Sequence, residues 1–157
     1  MEDFNYKGCL MLKLKLEGWD KIRNIIKPED LDSDGFENDP HLTLIYGLKS
    51  DSDLSKIKEC VEKVKLINRK VKLDNVKVFE NENDVMHYKI NEPKLFSLLK
   101  TCHNNLKNNI DSKVTFPNYK PHVTIAYLKK GKSKDYIDLI PKLDATIDSF
   151  WYSTVYK

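Results

Sequence analysis

From Cys9 to Leu16 the chain alternates, with Leu10, Leu12, Leu14 and Leu16 on one face and Cys9, Met11, Lys13 and Lys15 on the other. That period of two predicts a strand with its leucines toward a core. At Trp19 the period changes: Trp19, Ile22 and Ile26 recur at helical spacing, and Pro28 ends the helix. The acidic stretch from Glu29 to Asp39 predicts a loop, and Pro40 to Tyr46 a buried strand broken by Gly47. A helix follows, capped by Asp51 or Ser52, with Leu54, Ile57, Val61 and Val64 on its apolar side. Val71 to Phe79 predicts a strand with a bulge or turn at Asp74-Asn75. After a turn over Asn81 to Asp84, Val85 to Ile90 predicts another, with Met86, Tyr88 and Ile90 on one face. Pro93 opens a helix capped by Asn91, its stripe being Leu95, Leu99, Cys102, Leu106 and Ile110. A loop over Thr115 to Lys120 leads to a strand from Pro121 to Tyr127, ended by Lys129 to Lys132. Ser133 to Ile140 predicts a short helix closed by Pro141, and Asp144 to Tyr156 the last strand.

Two of these strands carry the same phrase. Pro40-His41-Leu42-Thr43-Leu44-Ile45-Tyr46 and Pro121-His122-Val123-Thr124-Ile125-Ala126-Tyr127 share Pro, His, Thr and Tyr at the same offsets, about half the chain apart. Strict alternation puts His41, Thr43 and Ile45 on one face, and likewise His122, Thr124 and Ala126; it turns Tyr46 and Tyr127 away from the histidines. Each half runs strand, helix, His-bearing strand, helix, strand. The expected fold is therefore α+β, a single domain over residues 1–157 made of two pseudo-symmetric β-sheet lobes with helices outside and a central cleft.

Composition narrows the partners. A net charge of +3, from 27 Lys and Arg against 24 Asp and Glu, is too small for a protein that binds duplex DNA. It leaves room for a small anion in a local basic cleft. No apolar run nears the roughly 18 residues of a membrane span, and charge interrupts the N-terminus where a signal-peptide core would lie. Three widely spaced cysteines, Cys9, Cys60 and Cys102, suit buried thiols in a reducing cytosol. The expectation is a cytoplasmic protein, monomeric and off the membrane.

A lone His at a strand start is an ordinary core residue, but a core has no reason to repeat a His and Thr pair in both halves. A site related by two-fold symmetry does. Zinc would need a third or fourth ligand, and no Cys or carboxylate lies at ligand spacing from either phrase. His103, flanked by Asn104 and Asn105, is expected in solvent; His87 lies opposite the Met86-Tyr88-Ile90 face, at the surface or in the cleft. Two imidazoles titrating near pH 6.5 can hold opposite protonation states at neutral pH. One takes a proton from an attacking hydroxyl or water, the other protonates the departing oxygen, and the Thr hydroxyls meet the charge on phosphate oxygens. His41, Thr43, His122 and Thr124 are the candidate catalytic residues, with no metal and no cofactor.

Two His-x-Thr strands half a small domain apart resemble the two-histidine (2H) phosphoesterase superfamily. The fuller wording is most similar to the phage anti-CBASS nucleases: Pro-His-Leu-Thr-Leu-Ile-Tyr-Gly-Leu at 40–48, Tyr-Lys-Pro-His-Val-Thr-Ile-Ala-Tyr-Leu-Lys-Lys-Gly at 119–131, the opening Asn-Tyr-Lys-Gly, and Ile-Lys-Pro-Glu-Asp-Leu at 26–31. The resemblance implies a phosphodiesterase that cleaves 3′–5′ bonds of cyclic di- and trinucleotides in the cytosol of an infected bacterium. Attack would come from the neighbouring 2′-hydroxyl or from water. It also implies aromatic stacking on bases; Trp151 and Phe79 are the candidates, with Lys13 and Lys120 for phosphate. Alternatives are a relative acting on RNA ends or 2′–5′ linkages, and a nucleotide sponge that binds without cutting.

Overall fold

A computed structural model describes residues 6–49, 54–67, 70–113 and 118–153. The leucine-alternating segment forms β1 (Gly8–Lys15), followed by α1 (Trp19–Ile25). The acidic stretch is not a loop throughout: after a 3-10 turn at Pro28–Asp30 it forms β2 (Leu31–Phe36). The first phrase is β3 (His41–Leu48), and α2 (Leu54–Ile67) follows; the Asp51 and Ser52 caps lie outside the described residues. The break expected at Asp74-Asn75 divides Val71 to Phe79 into two strands, β4 (Lys70–Leu73) and β5 (Val76–Glu80). Then come β6 (Asp84–Lys89), α3 (Pro93–Asn109), the second phrase as β7 (His122–Leu128), and β8 (Leu143–Ser153).

Two local expectations are corrected. Glu92, not Asn91, caps α3, its carboxylate accepting from the Lys94 and Leu95 amides. Ser133 to Ile140 is a 3-10 turn at Ser133–Asp135 running into further turns. The buried Asp84 carboxylate accepts from the Gly131 and Ser133 amides and from the Ser133 hydroxyl, which fixes the chain before a helix can start.

The strands form one curled antiparallel sheet in the order β4-β8-β1-β3-β7-β6-β5, with β2 also on β7. Its middle is thin. β3 and β7 pair only at Leu42 and Val123, and the two lobes part from there. Each phrase strand is then covered by the segment preceding the other phrase. β2 pairs with β7 through Phe36–Ala126 and Leu31–Leu128, while residues 111–113 bond to the end of β3. β8, from the second half, lies between β1 and β4 of the first. The lobes are thus related in pattern but exchange strands.

One face of the sheet is packed. Leu10, Leu12 and Leu14 meet Ile57, Cys60 and Val64 of α2 and Leu95, Leu99, Cys102 and Leu106 of α3, so the amphipathic stripes do turn inward. Each fully buried leucine there contributes roughly 1.5–3 kcal/mol. All three cysteines are buried and free. The helices leave the opposite face to the histidines.

Candidate active site

Cross-strand register fixes what shares that face, because residues directly opposite each other point the same way. On β3, His41 lies opposite Lys13 and Thr43 opposite Met11. On β7, His122 lies opposite Lys89 and Thr124 opposite His87. With Leu42 opposite Val123, the antiparallel sense sets His41 toward Thr124 and Thr43 toward His122. His41 and His122 are thus diagonal neighbours across the junction of the two strands, on one face, and the charge of His41 is felt at His122.

Strict alternation fails beyond the threonines, at the same place in both phrases. Met11 pairs with Thr43 but Leu10 with Ile45, so Leu44 is an extra residue; His87 pairs with Thr124 but Met86 with Ala126, so Ile125 is another. Each is a β-bulge, and a bulge shifts every later side chain to the other face. Ile45 and Ala126 therefore join the core instead of the histidine face. Tyr46 and Tyr127, opposite Cys9 and Val85, come onto the histidine face, reversing the expectation from alternation. Cys9, Met11 and Val85 are buried yet stand apart from the core cluster, as residues of the second face should.

The two histidines are held alike. His41 Nδ1 lies 2.8 Å from the Asp39 carbonyl and His122 Nδ1 2.7 Å from the Lys120 carbonyl, each two residues back. A carbonyl only accepts, so Nδ1 carries the hydrogen in both rings and Nε2 is left to exchange a proton. Their surroundings differ. Against His122 stand His87, with ring centroids 5.1 Å apart, and Phe79, at 4.9 Å edge-on; Phe79 stacks on His87 at 3.9 Å. Burial, and then the charge of His41, holds His122 below the usual imidazole range, against the opposing Lys120 carbonyl bond. Burial pushes His87 down to about 4, with His122, Lys120 and Lys89 adding to the effect. Next to His41 there is instead an ion pair, Lys13 with Asp39, and the Lys13 ammonium sits 5.4 Å from the Trp151 ring centre.

All four candidate binding residues flank this face. Trp151 lies opposite Met11 and is 38% exposed, and Lys13 is opposite His41. Phe79 is partly buried against His87 and His122, and Lys120 is exposed with its charge felt at His87. His87 belongs to the site, although its sequence position left it open. The signal was its alternation with Met86 and Tyr88. His103 is not in solvent: it is 5% exposed, its Nδ1 2.8 Å from the Leu44 carbonyl, stacked on Tyr119 at 4.2 Å. Among the described residues no three His, Cys, Asp or Glu are grouped to hold a metal ion, and no helix is long and apolar enough to cross a membrane.

Two joined lobes, each presenting a His-x-Thr strand to one shared face, define the two-histidine phosphoesterase class. A family model described as the 2′-5′ RNA ligase superfamily matches residues 13–152, and the chain belongs to that superfamily. Among solved structures it is similar to Usb1 of Kluyveromyces marxianus with uridine monophosphate (14% identity, TM-score 0.53, covering 95% of this chain and 98% of that one). Usb1 of the same yeast in a second structure gives 13%, 0.51, 95% and 98%. E. coli LigT complexed with 3′-AMP gives 11%, 0.48, 94% and 97%. At these identities the likeness to Usb1 is one of fold. No curated protein matches the sequence.

Proposed function

We propose that the chain is a metal-independent phosphodiesterase cleaving 3′–5′ bonds of cyclic di- and trinucleotide signals, and so counters CBASS defence in an infected bacterial cytosol. The observation that carries the chemistry is the pair of His-Thr strands joined at Leu42 and Val123 on one face, each His with Nδ1 tied to a carbonyl. His122, held toward its neutral form by burial, is the base: its Nε2 takes the proton of an attacking 2′-hydroxyl or water. As the nucleophile bonds to phosphorus, the bond to the leaving oxygen breaks, and the His41 imidazolium protonates that oxygen. Thr43 and Thr124 donate to the non-bridging oxygens where charge develops. Lys13, Lys120, Phe79 and Trp151 line the flanks as phosphate and base contacts.

The cyclic substrate rests on the wording of the two phrases and the N-terminal segments. A second reading, processing of RNA ends, is favoured by the superfamily match and by a fold neighbour holding uridine monophosphate. Incubation with 3′,3′-cyclic dinucleotides, cyclic trinucleotides and 2′,3′-cyclic-phosphate RNA in the presence of chelator, with product analysis, separates them. Cyclic nucleotides should be opened, and His41→Ala or His122→Ala should each slow the reaction by about 10²–10⁴. Turnover of RNA ends alone would replace the substrate. Equal rates in the wild type and both alanine variants would remove the mechanism.

A further inference from the structure

The repeated phrase contains a third polar residue that the proposed chemistry leaves unused. Tyr46 and Tyr127 occupy the same offset in both copies, and only the paired bulges at Leu44 and Ile125 bring them to the histidine face. Along each strand the inward positions then read His, Thr, Tyr in succession: His41, Thr43, Tyr46 and His122, Thr124, Tyr127. Successive inward Cα atoms on a strand are about 6.6 Å apart, twice the rise per residue. A long phenol can reach back across that gap, and the Tyr127 phenol is close enough to the Thr124 side chain to feel it. Tyr46 is 44% exposed, so core packing does not account for it.

From this placement, and resting on the phosphodiesterase reading above, we infer that Tyr46 and Tyr127 are substrate-contacting residues, each donating its hydroxyl to a non-bridging oxygen of the scissile phosphate. A pentacovalent phosphorus between the histidines carries two such oxygens, and the bulged strands supply two donors per oxygen, one Thr and one Tyr. Burial first, and then the nearby Glu37 and Asp34 carboxylates, raise the Tyr127 phenol above its ordinary range, so it keeps its proton and stays a donor. Both bulges are costly departures from a regular ladder, and turning a matched pair of phenols toward the reacting group gives them a function.

The test uses the full chain with Tyr46→Phe, Tyr127→Phe, the double variant, and His122→Ala as control. With whichever nucleotide of the panel the wild type turns over, each Phe should lower kcat about tenfold or more and the pair further, with KM moving less than threefold. Independently of turnover, the affinity for a uridine–vanadate complex should fall at least tenfold in Tyr127→Phe while that for uridine alone stays constant. If both Phe variants keep wild-type kcat and vanadate affinity while His122→Ala is inactive, the tyrosine role is wrong and the phosphodiesterase reading stands. A rise in KM at constant kcat, with uridine affinity falling equally, would make the rings base platforms and overturn phosphate donation. Wild-type activity in His122→Ala would remove both.

Discussion

His87 is the third imidazole on the histidine face, and its buried edge against His122 makes it a probe of how that face tolerates charge. It is 2% exposed, its Nδ1 bonded to the Val85 carbonyl at 3.0 Å and its ring stacked on Phe79. The folded state holds it at about 4, below the 6.5 of an unfolded histidine. Between those values the unfolded chain binds a proton that the folded chain refuses. Stability should therefore fall as pH drops from about 6.5 to 4, by on the order of 3 kcal/mol from this group, and level off for it below that. Urea midpoints measured from pH 7.5 to 4 should show the decline, and His87→Gln should flatten it. An unchanged slope in His87→Gln would mean the ring is charged in the fold. His122 shifts in the same direction, so the acid limb of kcat/KM should lie below pH 6.5; a limb above it would move the base role to the other lobe.

At the scale of the elements, the two bulges decide which side chains share the histidine face, and they were illegible in the sequence. Period two in the phrases gave the strands, the shared face of His and Thr, and the leucine face of β1, because each follows from local alternation. A bulge is set by the partner strand, and nothing within Leu44-Ile45 or Ile125-Ala126 announces the extra residue. What secures the first bulge lies far along the chain: His103 of α3 bonds the Leu44 carbonyl and the Tyr119 hydroxyl bonds the Thr43 carbonyl at 3.0 Å. That also explains why His103 is buried despite its asparagine neighbours. Tyr119→Phe removes one such bond while keeping the stack, and should cost about 1 kcal/mol in the urea midpoint together with a several-fold drop in kcat. Loss of stability with kcat intact would show that Thr43 holds its position without the bond.

For the whole molecule, the chain order of matching halves was readable, but their strand exchange was not, since pairings such as β2 with β7 and β8 with β1 span most of the sequence. The acidic stretch looked like a loop for the same reason. Its backbone becomes a strand because β7, once it parts from β3 past Val123, needs a partner for its exposed edge. Exchange of this kind makes each lobe depend on the half that follows or precedes it. The two tryptophans allow a test, because Trp19 of α1 packs near Phe36 and Tyr88 on the β7 side, whereas Trp151 of β8 belongs to the β1 side. In Trp19→Phe and Trp151→Phe variants, the remaining tryptophan reports one lobe each. Its fluorescence transition in urea should coincide with the far-UV circular dichroism transition of the same variant, one cooperative step in both cases. A tryptophan signal that moves ahead of the backbone signal in either variant would mean that lobe opens alone, and that the single Leu42–Val123 junction, rather than the exchanged strands, is what couples His41 to His122.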